Sequence, residues 1–268
     1  MKTKFTILAT SIFLATFAGL AAIYIGTVYS ESDHNITNID ISTMGSNVLR
    51  FNAPLQATAS VIILHGLGDS GEGWRFLSDM LHQHDKFKTV NFIFPNAPVK
   101  PLSIAGGQEV SQWFDIFEMG NPNARQDEDG YWASVARVGN WIDDEILNGI
   151  DPSKIVVGGF SQGASLSLGI SAAYDKKLAG ILCLSGFFNM RQGITSRLKD
   201  ANKSTDIFHG HGDMDPMIRV DLAKSSAKYF KEQGFTNYNL KIYPGMGHST
   251  CEEELTDIAD FLIKSLNL

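Results

Sequence analysis

The β-rich run Ile155-Val156-Val157-Gly158 passes without a break into Gly159-Phe160-Ser161-Gln162-Gly163, and from there into the small-residue stretch Ala164-Ser165-Leu166-Ser167-Leu168. Few arrangements accept a strand, a reversal and a helix in so little chain. The turn forces its central serine into strained dihedrals. Glycines are needed on either side, where a Cβ would meet the neighbouring strand and helix. Ser161 is thereby presented above the carboxyl end of a strand, as a nucleophile must be. A Gly/Ser turn matching by chance is the competing interpretation, and the flanking strand and helix argue against it.

The rest of the chain supplies a fold in which such a turn can sit. Short apolar runs at Ser60 to His65, Val90 to Phe94, Ile155 to Gly158, Gly180 to Leu184, Asp206 to His209 and Leu240 to Tyr243 read as strands. Most are unbroken rather than alternating, as strands buried on both faces are. Helical spacing appears between them, at Gly73 to His84, Tyr131 to Asn148, Gln162 to Tyr174, Arg219 to Gln233 and Cys251 to Leu266. The alternation predicts an α/β protein with a mainly parallel central sheet and helices on both faces. The segment from Asn96 to Arg125 is irregular and holds Trp113 and Phe114. Long loops in compact domains are usually functional or disordered, and the aromatics favour the former.

A serine hydroxyl needs a base to take its proton and a carboxylate to hold that base. Both follow downstream in the order Ser, Asp, His that the α/β-hydrolase fold uses. Asp215 lies in His211-Gly212-Asp213-Met214-Asp215-Pro216, and His248 in the glycine-flanked Gly245-Met246-Gly247-His248-Ser249. Asp213 is a rival for the acid on the residues alone, and Asp215 is placed ahead of it. His209 and His211 are rivals for the base; their position in and at the end of a strand suits structural histidines that satisfy loop carbonyls. Acyl transfer also needs backbone donors aimed at the developing oxyanion. The N–H of Gln162 is one, and the loop His65-Gly66-Leu67-Gly68-Asp69 predicts Leu67 as the other.

Composition bounds the partners. The 268 residues carry a formal charge of −7 with no dense Lys/Arg run, which excludes a nucleic-acid footprint. The two cysteines, Cys183 and Cys251, are read as free thiols rather than as a framework. No spacing of His and Cys suggests a metal, and the triad chemistry calls for no cofactor.

Taken together, His65-Gly66-Leu67-Gly68-Asp69, Trp113-Phe114-Asp115, Gly158 to Gly163, His211 to Pro216 and Gly247-His248-Ser249 resemble the acyl-protein thioesterases. The run Ile207 to Pro216 is most like their fungal members. The resemblance extends from about Val48 to the C-terminus. It implies Ser161, Asp215 and His248 as the triad, and places the acid at Asp215 rather than Asp213. It implies hydrolysis of palmitoyl thioesters on S-palmitoylated proteins such as G-protein α subunits and Ras-like GTPases, in the cytoplasm and nucleus, with lysophospholipids or small esters as related substrates. A broad carboxylesterase and a non-catalytic hydrolase-like binding module are the alternatives. A palmitoyl chain requires an apolar channel, for which Ile104, Trp113, Phe114 and Phe187 are the candidates, set against the reading that the aromatics are ordinary core.

The N-terminus departs from that pattern. Phe5 to Tyr29 contains no charge, follows Lys2 and Lys4 and precedes Glu31 and Asp33. At this length it can span a bilayer, so residues 1–30 read as a signal-anchor or signal-like segment, 31–47 as a polar linker and 48–268 as the catalytic domain. That topology carries the domain out of the cytoplasm and opens Asn35-Ile36-Thr37 and Asn202-Lys203-Ser204 to glycosylation. Initiation at Met44 in the cytosol is the other reading.

Overall fold

A computed structural model of the chain describes residues 48–118, 124–188, 190–191 and 193–268. The apolar segment, the linker, Asn35 and Met44 lie outside the described residues. Among the described residues no helix is long and apolar enough to cross a membrane.

The elements in chain order are β1 (Val48–Phe51), β2 (Ala59–Leu64), α1 (Arg75–Leu81), β3 (Val90–Pro95), β4 (Val99–Leu102), β5 (Gln108–Ser111), α2 (Glu128–Leu147), β6 (Ile155–Phe160), α3 (Gln162–Ala173), β7 (Gly180–Leu184), β8 (Asp206–Gly212), α4 (Val220–Glu232), β9 (Tyr238–Tyr243) and α5 (Glu252–Leu266). Seven strands form one sheet in the order β1-β3-β2-β6-β7-β8-β9. All its pairings are parallel except that of β1 with β3. This is the predicted α/β-hydrolase architecture, and each predicted strand and helix has its counterpart.

Alternation along the strands divides the interior in two. Ile62, Leu64, Ile93, Ile155, Val157, Ile181, Cys183 and Ile207 join a cluster with residues of α2, α3 and α4, among them Tyr131, Leu168 and Phe230. The residues between them, such as Val61, Phe92, Val156, Leu182 and Phe208, are buried as well, and α5 packs on strands β6, β7 and β8. Burial on both faces explains why these strands read as unbroken apolar runs.

Three elements were not anticipated. β1 is a short antiparallel edge strand. Its Arg50 reaches the fully buried Glu145 of α2 at 2.5 Å, and Glu145 also accepts from Ser60 Oγ. β4 and β5 form a two-stranded antiparallel ribbon within the segment read as irregular.

One expectation is corrected. Asn202 cannot serve as a glycan acceptor on the folded surface, because it is fully buried. Its Oδ1 accepts from the N–H of Leu178, and its Nδ2 donates to the carbonyls of Tyr174 and Lys176. The triplet is a structural staple that happens to spell a sequon. Cys183 and Cys251 are free thiols, the first buried.

Candidate active site

The catalytic candidates all lie where strands end. Leu67 follows β2, Ser161 follows β6, Asp215 follows β8 and His248 follows β9. The carboxyl ends of parallel strands are where open α/β sheets gather their ligand-binding loops.

Ser161 has φ 53 and ψ −113, a left-handed value that a non-glycine residue adopts only under constraint. The constraint is steric. A Cβ on Gly159 would fall 2.3 Å from the carbonyl carbon of Gly163, and one on Gly163 would fall 2.2 Å from the carbonyl oxygen of Leu64. The backbone therefore packs at distances that only hydrogen side chains allow. The N–H of Ser161 donates to the carbonyl of Leu184 at 2.8 Å, tying the turn to β7.

The Ser161 hydroxyl lies 3.0 Å from His248 Nε2, and His248 Nδ1 lies 2.7 Å from Asp215 Oδ2. The network assigns Nδ1 as the protonated nitrogen: it donates to the carboxylate, which leaves Nε2 to accept from the serine. Asp215 Oδ1 accepts from the N–H groups of Met217 and Ile218, each at 2.8 Å. Burial alone would push this carboxyl up; the histidine contact and the two amides outweigh it and hold Asp215 below the ordinary aspartate value. Asp213, the rival acid, points elsewhere, its Oδ1 accepting from the N–H of Gly245 at 2.7 Å.

The rival bases are committed to carbonyls. His209 is fully buried between Tyr238 Oη and the carbonyl of Gly186. Burial, with the nearby His211, lowers it to about 3. His211 donates from Nε2 to the carbonyl of Ile218 at 2.7 Å, and burial lowers its affinity for a second proton. In doing so it braces the turn whose amides hold Asp215.

The glycine loop lies beside the nucleophile. A Cβ on Gly66 would come within 3.4 Å of the Ser161 Cβ. In this turn the N–H of Gly68 donates to the carbonyl of Ser111 and that of Asp69 to the carbonyl of Gly66. The amide of Leu67 is engaged by neither. Gln162 is the first residue of α3, where helical geometry provides no intrahelical acceptor for its N–H. The two candidate donors thus belong to separate elements, the loop after β2 and the start of α3.

Sequence reasoning missed what holds this loop. His65 is fully buried, donating from Nδ1 to the carbonyl of Gly66 and accepting at Nε2 from the N–H of Ala97. Burial keeps it neutral, as that double role requires. The Gln162 side chain accepts from the N–H of Trp113 and donates to the carbonyl of Phe114, both at 2.8 Å. Neither clamp has a local sequence signal.

The four acyl-surface candidates separate. Trp113 has no exposed surface, and its indole N–H donates to the carbonyl of His65. Phe114 packs edge-on against Tyr131. Both are core residues, which agrees with the second of the two readings, and their polar atoms are engaged in seating the loops around Ser161. Ile104 is exposed beside the β4-β5 ribbon. Phe187 is half-buried and follows Gly186, where a Cβ would lie 3.2 Å from the carbonyl oxygen of Ser161. Among the described residues no cluster of His, Cys, Asp or Glu is placed to hold a metal ion.

Comparison with known proteins places this arrangement. The Phospholipase/Carboxylesterase family matches residues 51–266. The chain belongs to that family. A family member from Kluyveromyces lactis, acyl-protein thioesterase 1, is 40% identical over 228 residues, covering 84% of this chain and all of the relative. The Saccharomyces cerevisiae protein of the same name is 41% identical over 82% of this chain and 99% of its own length. Among solved structures, Arabidopsis thaliana SOBER1 superposes with a TM-score of 0.73 at 30% identity, covering 78% of this chain and 99% of its own. Zea mays acyl-protein thioesterase 2 does so with a TM-score of 0.67 at 26% identity over 83% of this chain and 100% of its own. The resemblance to the fungal thioesterases holds over nearly all the described residues, and this phospholipase/carboxylesterase family member is a hydrolase.

Proposed function

We propose that the protein is a serine hydrolase that removes palmitoyl and related fatty acyl groups from S-acylated cysteines of proteins. The observation that carries the reading is the unbroken relay from Ser161 Oγ to His248 Nε2 at 3.0 Å and from His248 Nδ1 to Asp215 at 2.7 Å, on a chain about 40% identical to acyl-protein thioesterases.

In this reading Ser161 Oγ attacks the thioester carbonyl while its proton passes to His248 Nε2. The oxyanion is received by the N–H groups of Leu67 and Gln162, aligned before the charge develops. The tetrahedral intermediate collapses, and the cysteine thiolate leaves with the proton from Nε2. Water then gives a proton to the same nitrogen, attacks the acyl-serine and releases the fatty acid, returning the proton to Ser161 Oγ. Asp215 stabilises the imidazolium in both halves and keeps Nδ1 protonated. The acyl chain lies against a surface that includes Ile104 and Phe187, one tied to the oxyanion loop through the ribbon and the other beside the nucleophile.

In this proposal the protein substrates are G-protein α subunits and Ras-like GTPases, and the enzyme acts in the cytoplasm or nucleus with translation from Met44. A domain exported behind residues 5–29 would meet other acylated substrates. Fractionation with N-terminal sequencing of the mature protein distinguishes the two, and a glycan on Asn35 overturns the cytosolic reading.

Covalent labelling by a fluorophosphonate, lost in Ser161→Ala and His248→Ala, tests the triad; failure of the wild-type protein to label overturns it. Comparison of kcat/KM on an S-palmitoyl peptide and on lysophosphatidylcholine tests the substrate. A strong preference for the lipid makes the enzyme a lysophospholipase.

A further inference from the structure

Glu254 lies in the first turn of α5, six residues beyond His248, and has no exposed surface. Neither of its carboxyl oxygens has a hydrogen-bond partner among the described residues. Lys241 of β9 pairs with Glu253 and Asp257 on the same helix instead. A buried carboxyl with no partner is expensive to keep.

The carboxyl occupies a gap left by a glycine of β8. A Cβ on Gly210 would fall 2.1 Å from Glu254 Oε1. Two residues along the same strand, and therefore on the same face, Gly212 leaves a second gap. There a Cβ would fall 2.0 Å from the carbonyl oxygen of Met246 and 2.8 Å from that of Gly247. The segment carrying His248 is thus seated on β8 at both ends, ahead of the histidine by its own backbone and beyond it by the Glu254 side chain. The same strand runs on into Asp215.

We propose that Glu254 is a positioning residue for the catalytic base: its seat over Gly210 fixes the start of α5 and, through it, the reach of His248 to Ser161 and Asp215. The inference rests on the reading of His248 as the base. The seat takes a neutral carboxyl and rejects a charged one, because among the described residues no cation pairs with it, Lys241 lying over the Tyr243 ring with Glu253 and Asp257 as its partners. Asp257 faces it from its own helix and Tyr243 from β9, both acids, and the buried Cys183 thiol of β7 lies on the other face of the sheet. On β8 it meets Gly210, whose neighbours His209 and His211 are held neutral by burial. Burial first, and then the charge of Asp257, pushes Glu254 up to about 8. Ionisation leaves an unpaired charge in the interior; its relief is movement of the first turn of α5 toward water, which draws His248 away from Ser161.

Steady-state kinetics of the full chain on a short-chain nitrophenyl ester across neutral and alkaline pH test this. Wild-type kcat is expected to fall through a limb near pH 8, the ionisation of Glu254. Glu254→Ala empties the seat and lowers kcat about 10- to 100-fold at neutral pH with KM little changed, the scale expected when a reacting group is misplaced by about 1 Å. Glu254→Gln fills the seat with a group that cannot ionise, restores kcat and keeps it where the wild-type enzyme fails. Glu254→Met, also non-ionising, reproduces the flat alkaline profile if the amide folds poorly. A wild-type profile with no limb near pH 8, or a limb that survives in Glu254→Gln or Glu254→Met, overturns the proposal. Fluorophosphonate labelling at neutral pH, lost in His248→Ala, keeps the outcomes distinct: intact labelling with a surviving limb removes Glu254 alone, whereas absent labelling removes the reading of the base.

Discussion

Around Ser161 the chain is held by shape. Gly159 and Gly163 bring backbone against backbone at distances that leave no room for a methyl group, and nothing in that contact ionises. Around His248, 87 residues further on, the chain is held by polar groups as well: the Asp215 carboxylate, the His211 brace behind it, and the buried Glu254 beyond. The two halves meet across one hydrogen bond, yet they should respond to different perturbations. Sterics make the nucleophile indifferent to pH and intolerant of added volume. Around the base, steric seats at Gly210 and Gly212 are joined by titratable supports, which make it sensitive to pH as well.

The largest effect is expected on the steric side. Gly163→Ala places a methyl 2.2 Å from the Leu64 carbonyl oxygen, an overlap with rigid backbone worth more than the about 1–3 kcal/mol of ordinary overpacking. Little folded protein should be recovered in expression and thermal melts. A folded Gly163→Ala variant that still labels would break the contrast.

On the polar side, Asp215→Asn should lower kcat by roughly 10⁴-fold through the wrong histidine tautomer, with the fold retained by circular dichroism. The sign of its stability effect is set by the depressed carboxyl. Stabilisation from ionised Asp215 is present above the ordinary aspartate value of 3.8 and is lost as pH falls through the lower folded-state value. The melting temperatures of wild type and variant should therefore converge in acid; divergence there contradicts the sign.

Glu254 gives the opposite sign and a smaller effect. Its folded value of about 8 lies above the ordinary 4.5, so folding favours the protonated acid. Its stabilisation is complete below 4.5 and is lost as pH rises to about 8, where the loss levels off. Relative to Glu254→Gln, the wild-type protein should lose stability across that window, by at most a few kcal/mol. A constant difference between the two denaturation curves across pH would show that the carboxyl is not held neutral. The smallest effect belongs to neither side: Arg219→Ala breaks an exposed pair with Asp221 and should leave the melting temperature essentially unchanged, because solvent screens such a pair.

The legible parts of the molecule are those whose signal is local. Strands buried on both faces announce themselves as apolar runs, and the turn at Ser161 carries its own glycines. β1 and the β4-β5 ribbon were hidden because they are four residues each, lie at the margins and, in Val99–Leu102, include a proline and three exposed positions. The roles of His65 and the Gln162 side chain depend on partners 32 and 49 residues away, which no window of sequence joins. Trp113 misled because an aromatic in an irregular segment reads equally as a binding surface or as core. Glu254 is the instructive case. In Glu252-Glu253-Glu254 it looks like part of a solvated acidic helix start, favoured there by the helix dipole. Its spacing of four and eight residues from Ile258 and Leu262 puts it instead on the apolar stripe of α5.

Strand β8 carries the acid at its end and seats the base's loop in the gaps at Gly210 and Gly212. Thermal displacement of that strand is consequently common to both partners and cancels in the Asp215 to His248 separation. Displacement relative to β6 does not cancel, and it falls on the bond to Ser161. The enzyme's mechanical noise is thereby concentrated in the one contact that must lengthen and shorten as the proton moves, while the acid–base pair travels as a unit.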